Sequence, residues 1–260
     1  MNIVGLPALV DTYENYIWIL YEADKAWVVD PGESTQVIDF LNRNKLNLQA
    51  ILITHTHFDH IDGVPALKVA FPEAVVYGPA KNQHQTIQAG LSEGDTIALT
   101  THFSLTVLDT PGHTANHISF YNEQALFCGD TLFTAGCGRL LGGTAEEFSQ
   151  SIIKLRCLPD STPFYCAHEY TADNLRFALQ VEPGNEHLQQ RVNQPLFDYP
   201  QIHNGPLSTL AEEKYTNPFM RFDDPTIKAQ LLKRGATDSP SSLFKTLREW
   251  KDQFDQTGLI

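Results

Sequence analysis

The 260 residues carry a formal net charge of −13, with 42% hydrophobic and 19% charged residues. That composition supports a sizeable packed core and excludes a disordered chain. The acidic balance argues against a non-specific nucleic-acid binder, whose electrostatic footprint is basic.

The first twenty residues lack the basic start, long apolar segment and small-residue cleavage site of a secretory signal. No run approaches the roughly 18 apolar residues that span a bilayer, so no membrane partner is expected. The four cysteines, Cys128, Cys137, Cys157 and Cys166, form no C-x-x-C pair. Free thiols in a reducing cytoplasm are the expectation.

In chain order, "NYIWILYE" and "AWVVD" read as strands joined by a hairpin at "ADK". "PGESTQVIDFLNRNKL" reads as a helix, with Ser34 as N-cap and Val37, Ile38 and Leu41 at helical spacing. "LQAILI" is a short, continuously apolar strand of the kind covered on both faces. "IDGVPALKVAFP" reads as one helix, with Pro65 near its first turn and Pro72 at its end. Strands follow at "AVVYG", "FSLTVLDT", "HISFYN" and "ALFCG". The helix "AEEFSQSIIKLRCLP" stops at Pro159, and "TPFYCA" is a last short strand.

From Tyr170 the pattern changes. "TADNLRFALQVEP", "NEHLQQRVNQPL", "PTIKAQLLK" and "SSLFKTLREWKDQF" all read as helices, with no strand between them. The expected organisation is a mixed α/β catalytic domain over 1–170 and a helical substrate-binding domain over 171–260. No repeat of solenoid period interrupts it.

The chemistry concentrates in "THTHFDH", where His55, His57, Asp59 and His60 follow an apolar strand. Two imidazoles two apart can share one side of an extended chain, with a carboxylate and a third imidazole just beyond. Three further apolar strands each end on one ligand-type residue: His113 after "VLDTPG", Asp130 after "ALFCG" and His168 after "FYCA". An α/β scaffold gathers ligands at one rim in this way. Five histidines and two aspartates exceed the four ligands of one zinc, so they fit two ions. Zinc, iron and manganese all suit these ligands. Paired ions point to hydrolysis.

H-x-H-x-D-H with His113, Asp130 and His168 resembles the metallo-β-lactamase superfamily, which implies an αββα sandwich. "GDTLFTAGCGRLLGGTAEE", "CAHEYTADNLRFA", "STLAEEKYTNPFMR" and "LREWKDQF" resemble, more narrowly, the hydroxyacylglutathione hydrolase (glyoxalase II) family. The resemblance spans essentially the whole chain and implies an α+β fold with a smaller all-helical C-terminal domain. It also implies that His55, His57 and His113 hold one ion. Asp59, His60 and His168 would hold the second, and Asp130 would bridge, with zinc the first expectation. The implied substrate is a glutathione thioester, held by Arg139, Tyr170, Arg248 and Lys251. Hydrolysis by a hydroxide shared between the ions, oriented by Asp59 and Asp130, would give glutathione and a 2-hydroxy acid such as D-lactate. That is the second step of methylglyoxal detoxification, carried out by a cytoplasmic monomer. Some relatives place a tyrosine two residues after the first basic group; this chain has Leu141.

The residues alone say less about the basic groups. Arg248 and Lys251 share a helix face, and Thr226 to Lys251 holds six Lys or Arg against Asp238 and Glu249. Such a run is ordinarily a solvated face, but an anionic substrate makes it useful. His117 reads as structural, and Cys137 as a packed small residue. The glycines of "GCGRLLGG" let a backbone loop lie close to the metals. The rival readings are other hydrolases of the superfamily, a mononuclear iron oxygenase acting on glutathione persulfide, and a non-catalytic metal-binding module.

Overall fold

The structure, a computed structural model, describes residues 1–81 and 84–257. Strands β1 (Asn2–Ala8), β2 (Asn15–Glu22) and β3 (Lys25–Val29) form an antiparallel meander. The sheet continues in parallel through β4 (Asn47–Leu52), β5 (Val75–Pro79) and β6 (Ala89–Leu91). Helix α1 (Thr35–Arg43) connects β3 to β4; α2 (Phe58–Ile61) and α3 (Val64–Ala70) connect β4 to β5.

A second sheet takes β7 (Thr96–Ala98), β8 (Ser104–Asp109), β9 (Ile118–Asn122) and β10 (Ala125–Phe127), all antiparallel. After α4 (Ala145–Arg156), β11 (Pro163–Tyr165) joins β10 in parallel. The chain then runs through α5 (Thr171–Val181), α6 (Glu186–Val192), β12 (His203–Asn204), β13 (Ser208–Thr209) and α7 (Leu210–Thr216). It ends in α8 (Pro225–Lys233) and α9 (Pro240–Gln256).

Alternation along β2 explains the layering. Ile17 and Ile19 pack with Val37, Leu41, Val64 and Leu67 of α1 and α3. Trp18 and Leu20 point the other way, into a core shared with Leu105, Phe120 and Phe127 of the second sheet. Buried on both faces, the strand has no polar alternation to show. The inner core runs on through Phe148 and Ile152 of α4 to Phe177 of α5 and Phe244 and Leu247 of α9. The ring of Phe148 meets that of Phe244 at 4.9 Å, so most of the helical region's apolar mass packs with the sandwich.

The αββα sandwich followed by a helical region stands as the sequence indicates, with local differences. Two strands lie in the region expected to hold helices alone: β12 pairs with β1, and β13 with β11. At two residues each they are too short to show a period-2 pattern. The helix expected over 61–72 is α3, trimmed to Val64–Ala70 with Pro65 in its first turn, and the short α2 precedes it. The chain turns at Gly63, whose N–H donates to Pro31 O at 2.9 Å instead of continuing α2. Ser34 occupies the N-cap of α1, but its hydroxyl makes no capping bond. Among the described residues no helix is long and apolar enough to cross a membrane. All four cysteines are free.

Candidate metal centre

The segments leaving β4, β8, β10 and β11 converge at one rim and bring together all seven ligand-type residues. His55 Nε2 and His113 Nε2 lie 3.1 and 2.9 Å from His57 Nδ1. Beside this triad, His60 Nε2 and His168 Nε2 lie 3.4 and 3.6 Å from Asp59 Oδ2. Asp130 stands between the two groups. Its Oδ2 is 3.3 Å from His113 Nε2, while its Oδ1 is 3.3 Å from His60 Nε2 and 3.2 Å from His168 Nε2.

Outer partners fix which nitrogen of each ring bears a lone pair. His113 Nδ1 donates to Arg139 O at 2.8 Å and His168 Nδ1 to Tyr13 O at 2.7 Å. A carbonyl only accepts, so both Nε2 atoms are unprotonated acceptors in the neutral rings. Thr54 spends its hydroxyl proton on Asp30 Oδ2 at 2.6 Å and meets His55 Nδ1 at 3.1 Å. That makes His55 Nδ1 the donor and frees its Nε2. Asn15 Nδ2 donates to Asp59 O at 3.1 Å and to Asp59 Oδ2 at 3.3 Å.

The electrostatics separate the triads. Burial lowers the pKa values of His55, His57 and His113, so their rings are neutral at pH 7. Burial would also lower His60, but the carboxylates of Asp130 and Asp30 outweigh it and raise that group. Burial would raise Asp59; hydrogen bonding and charge from His60 prevail and hold it at about 2. His60 Nε2 and Asp130 Oδ1 are buried with no hydrogen-bond partner. Unsatisfied buried donors and acceptors facing one another are costly. Three groups of ligand atoms, His55–His57–His113, Asp59–His60–His168 and the linking His55–His60–Asp130, each lie within 4.8 Å of one another. Imidazole and carboxylate donors so placed fit two adjacent divalent ions.

The rim opens into a 790 Å³ pocket walled by Tyr13, Phe58, Phe133 and Phe254 as well as the candidate ligands. The four residues expected to meet glutathione all line it. Arg139 is exposed and only loosely associated with Asp255, at 4.0 Å. Tyr170 stacks on His168 with centroids 4.9 Å apart, and its hydroxyl donates to Tyr13 O at 2.9 Å. Its phenolic oxygen is left to accept.

Arg248 and Lys251 depart from the simple picture of a bare basic patch. Arg248 Nη2 is 3.0 Å from Asp252 Oδ1, and Lys251 pairs with Asp255. Both acids follow Lys251 within one helical turn, so the basic segment is balanced at its end. Arg248 and Lys251 are buried, so they are fixed cations rather than a solvated face.

His117 is scaffold: its Nε2 accepts from the Asp130 amide at 3.2 Å, and its Nδ1 meets Thr110 and Thr131 hydroxyls. Cys137 is buried, which pushes its thiol up to about 12 and leaves no thiolate. A Cβ on Gly138 would fall 2.1 Å from Asp130 O, so glycine is required where the loop crosses the centre. Asp30, Thr54 and Asn15 went unrecognised in the sequence, as did Arg176 on the pocket wall. For Asp30 a signal existed, since "AWVVD" is a further apolar strand ending on a ligand-type residue.

The comparisons agree with this architecture. The model of the metallo-beta-lactamase superfamily matches residues 10–168, and that of the hydroxyacylglutathione hydrolase C-terminus matches residues 169–254. A hydroxyacylglutathione hydrolase of Vibrio parahaemolyticus is 44% identical over 256 residues, covering 98% of this chain and 100% of the relative. One of Hydrogenovibrio crunogenus is 41% identical over 266 residues, covering 100% and 98%. The crystal structure of the BLEG-1 B3 metallo-beta-lactamase matches with a TM-score of 0.63 at 26% identity, covering 84% of this chain and 99% of that one. The chain belongs to the hydroxyacylglutathione hydrolase family of the metallo-beta-lactamase superfamily.

Proposed function

We propose that the protein hydrolyses S-2-hydroxyacylglutathione thioesters, S-lactoylglutathione among them, to glutathione and the free 2-hydroxy acid. The observation that carries the reading is Asp130, which turns one oxygen to each triad at the floor of a pocket lined by Arg139, Tyr170, Arg248 and Lys251. His55, His57 and His113 would hold one divalent ion, Asp59, His60 and His168 a second, and Asp130 both. Ions there supply Lewis acidity toward a carbonyl and a nucleophile from water at neutral pH. Zinc is the first candidate, with iron and manganese compatible with the same donors.

The chain's own groups do the rest. Asp59, held at about 2, stays ionised and would help to orient the attacking water. The leaving thiol, with a pKa of roughly 8.5, departs as thiolate without a strong general acid. The Tyr170 phenol, raised by burial, stays protonated and serves as a positioning group. Arg139, Arg248 and Lys251 offer cationic donors to the carboxylates of glutathione, within a chain otherwise strongly acidic. The division of labour falls near residue 170, metal chemistry before it and thiol-side recognition largely after it. Four free cysteines, three of them buried, suit a reducing cytoplasm.

The test is a panel of glutathione thioesters, β-lactams and lactones offered to the zinc-loaded protein. Hydrolysis confined to the glutathione thioesters and abolished by chelator is expected. Activity that survives chelation, or none on any thioester, overturns the reading.

A further inference from the structure

Beyond Asp130 the chain makes a tight turn whose every resident is buried. Phe133 N donates to Gly136 O at 2.9 Å and Gly136 N to Phe133 O at 3.0 Å, with Ala135 in the left-handed region at φ 55. A buried turn must find partners for its remaining polar groups. Here they come from side chains after residue 170. Asn174 Nδ2 donates to Thr134 O at 3.1 Å, and Asn217 Nδ2 to Phe133 O at 3.1 Å and Gly136 O at 2.9 Å. Ala135 N donates to Glu213 Oε2 at 2.9 Å, and Arg248 Nη1 to Cys137 O at 2.9 Å. Ala135 also packs in a small core with Leu175, Ala178 and Leu188.

Glu213 and Asn217 are themselves fixed. Glu213 is fully buried, and its charge is met by Arg191 Nη2 at 2.5 Å. Asn217 Nδ2 also reaches Glu213 Oε2 at 3.0 Å, and its Oδ1 accepts from Phe219 N at 3.0 Å. Neither residue lines the pocket. The far side of the turn touches the metal centre. Gly138 N donates to Asp130 O at 3.1 Å, His113 Nδ1 donates to Arg139 O, and Leu141 N donates to His113 O at 2.9 Å. The Phe133 ring stands edge-on to His168 at 5.4 Å.

We propose that Asn217 and Glu213 are positioning residues for the metal centre, acting through the Phe133–Arg139 loop to set Asp130 and His113. The proposal rests on the reading of those two as ligands. The helical region then does more than receive substrate: it completes the mould in which the ion pair is held. Groups outside the ligand set that orient metal ligands typically change affinity by about 10–100-fold. Arg139 ends the same loop, so the metal centre and one glutathione contact are set together.

Asn217→Asp tests this, since it keeps the shape while removing both donors and setting a second carboxylate beside Glu213. Zinc affinity and stoichiometry are read by competition with a chromophoric chelator, below the unfolding temperature of each variant. The spectrum of the cobalt-substituted protein and the split between kcat and KM are read alongside. The expected result is zinc binding weakened about 10–100-fold, an altered cobalt spectrum and a lower kcat. Asn217→Ser, whose shorter hydroxyl no longer reaches the turn carbonyls, should weaken zinc binding likewise and serves if Asn217→Asp does not fold. Leu41→Ala, a change in the separate core beneath α1, lowers stability but should leave zinc affinity alone. Wild-type zinc affinity in Asn217→Asp, or an equal loss in Leu41→Ala, overturns the proposal. A wild-type protein that binds fewer than two ions instead overturns the ligand reading beneath it.

Discussion

Asp30 Oδ2 lies 3.0 Å from Nδ1 of His60, with both side chains sealed from solvent. The same carboxylate accepts from the Thr54 amide at 2.8 Å and hydroxyl at 2.6 Å, and Thr54 in turn meets His55. One acid at the end of β3 therefore orients an imidazole in each triad. Asp30→Asn removes the charge and turns one acceptor into an amide donor, on a left-handed backbone at φ 50 that asparagine also tolerates. The second-triad ion should bind about 10–100-fold more weakly while the fold survives. Chelator competition reads the affinity, and wild-type values at both positions would refute the role.

Asp130→Ala removes a carboxylate that faces both triads. His60, His113 and His168 then lose the carboxylate that sits 3.2–3.3 Å from their Nε2 atoms. Elemental analysis should find both ions depleted, and thioesterase activity should drop by at least about a hundredfold, since direct ligation outweighs the outer-shell effect. A variant with normal metal content and rate would sink the shared-carboxylate arrangement.

How much of this was legible follows from spacing. Five histidines and two aspartates at the ends of four strands could be read because each follows an apolar run that fixes its side of the sheet. Asp30 follows the same rule, but it stands 30 positions before His60 in a strand pair that does not announce its contact. The acids that balance Arg248 and Lys251 lie one helical turn on, at Asp252 and Asp255. Strands β12 and β13 are two residues long, below any period. Asn217 and Glu213 meet the Asp130 loop across more than 75 residues, and only tertiary structure discloses such a contact.

Acidification should empty the two positions in a fixed order. A raised folded pKa keeps a proton on His60 to higher pH, and an ion entering the second triad must displace it. In the first triad burial has lowered all three imidazoles, so protons compete only further down the scale. Metal should leave Asp59–His60–His168 before His55–His57–His113 as pH falls. In the metal-free protein the sign reverses. The His60 contact contributes stability that is fully present below its ordinary value of 6.5 and lost as pH rises through the raised one. Metal content after dialysis at stepped pH tests the order, and simultaneous loss would contradict it.

Leu141 is 58% exposed and lines the pocket on the Arg139 side. An exposed leucine at the mouth of a site for a charged tripeptide offers contact area but no hydrogen bond. Its amide is fixed by His113 O at 2.9 Å, so the backbone there is already set by the metal centre. Leu141→Tyr adds a phenolic hydroxyl to that fixed position without disturbing any ligand. One hydrogen bond to a polar group contributes about 0.5–1.5 kcal/mol, which corresponds to roughly two- to tenfold in affinity. KM for S-lactoylglutathione should fall by that factor, with kcat and metal content unchanged. An unaltered KM would mean that the glutathione backbone does not pass residue 141.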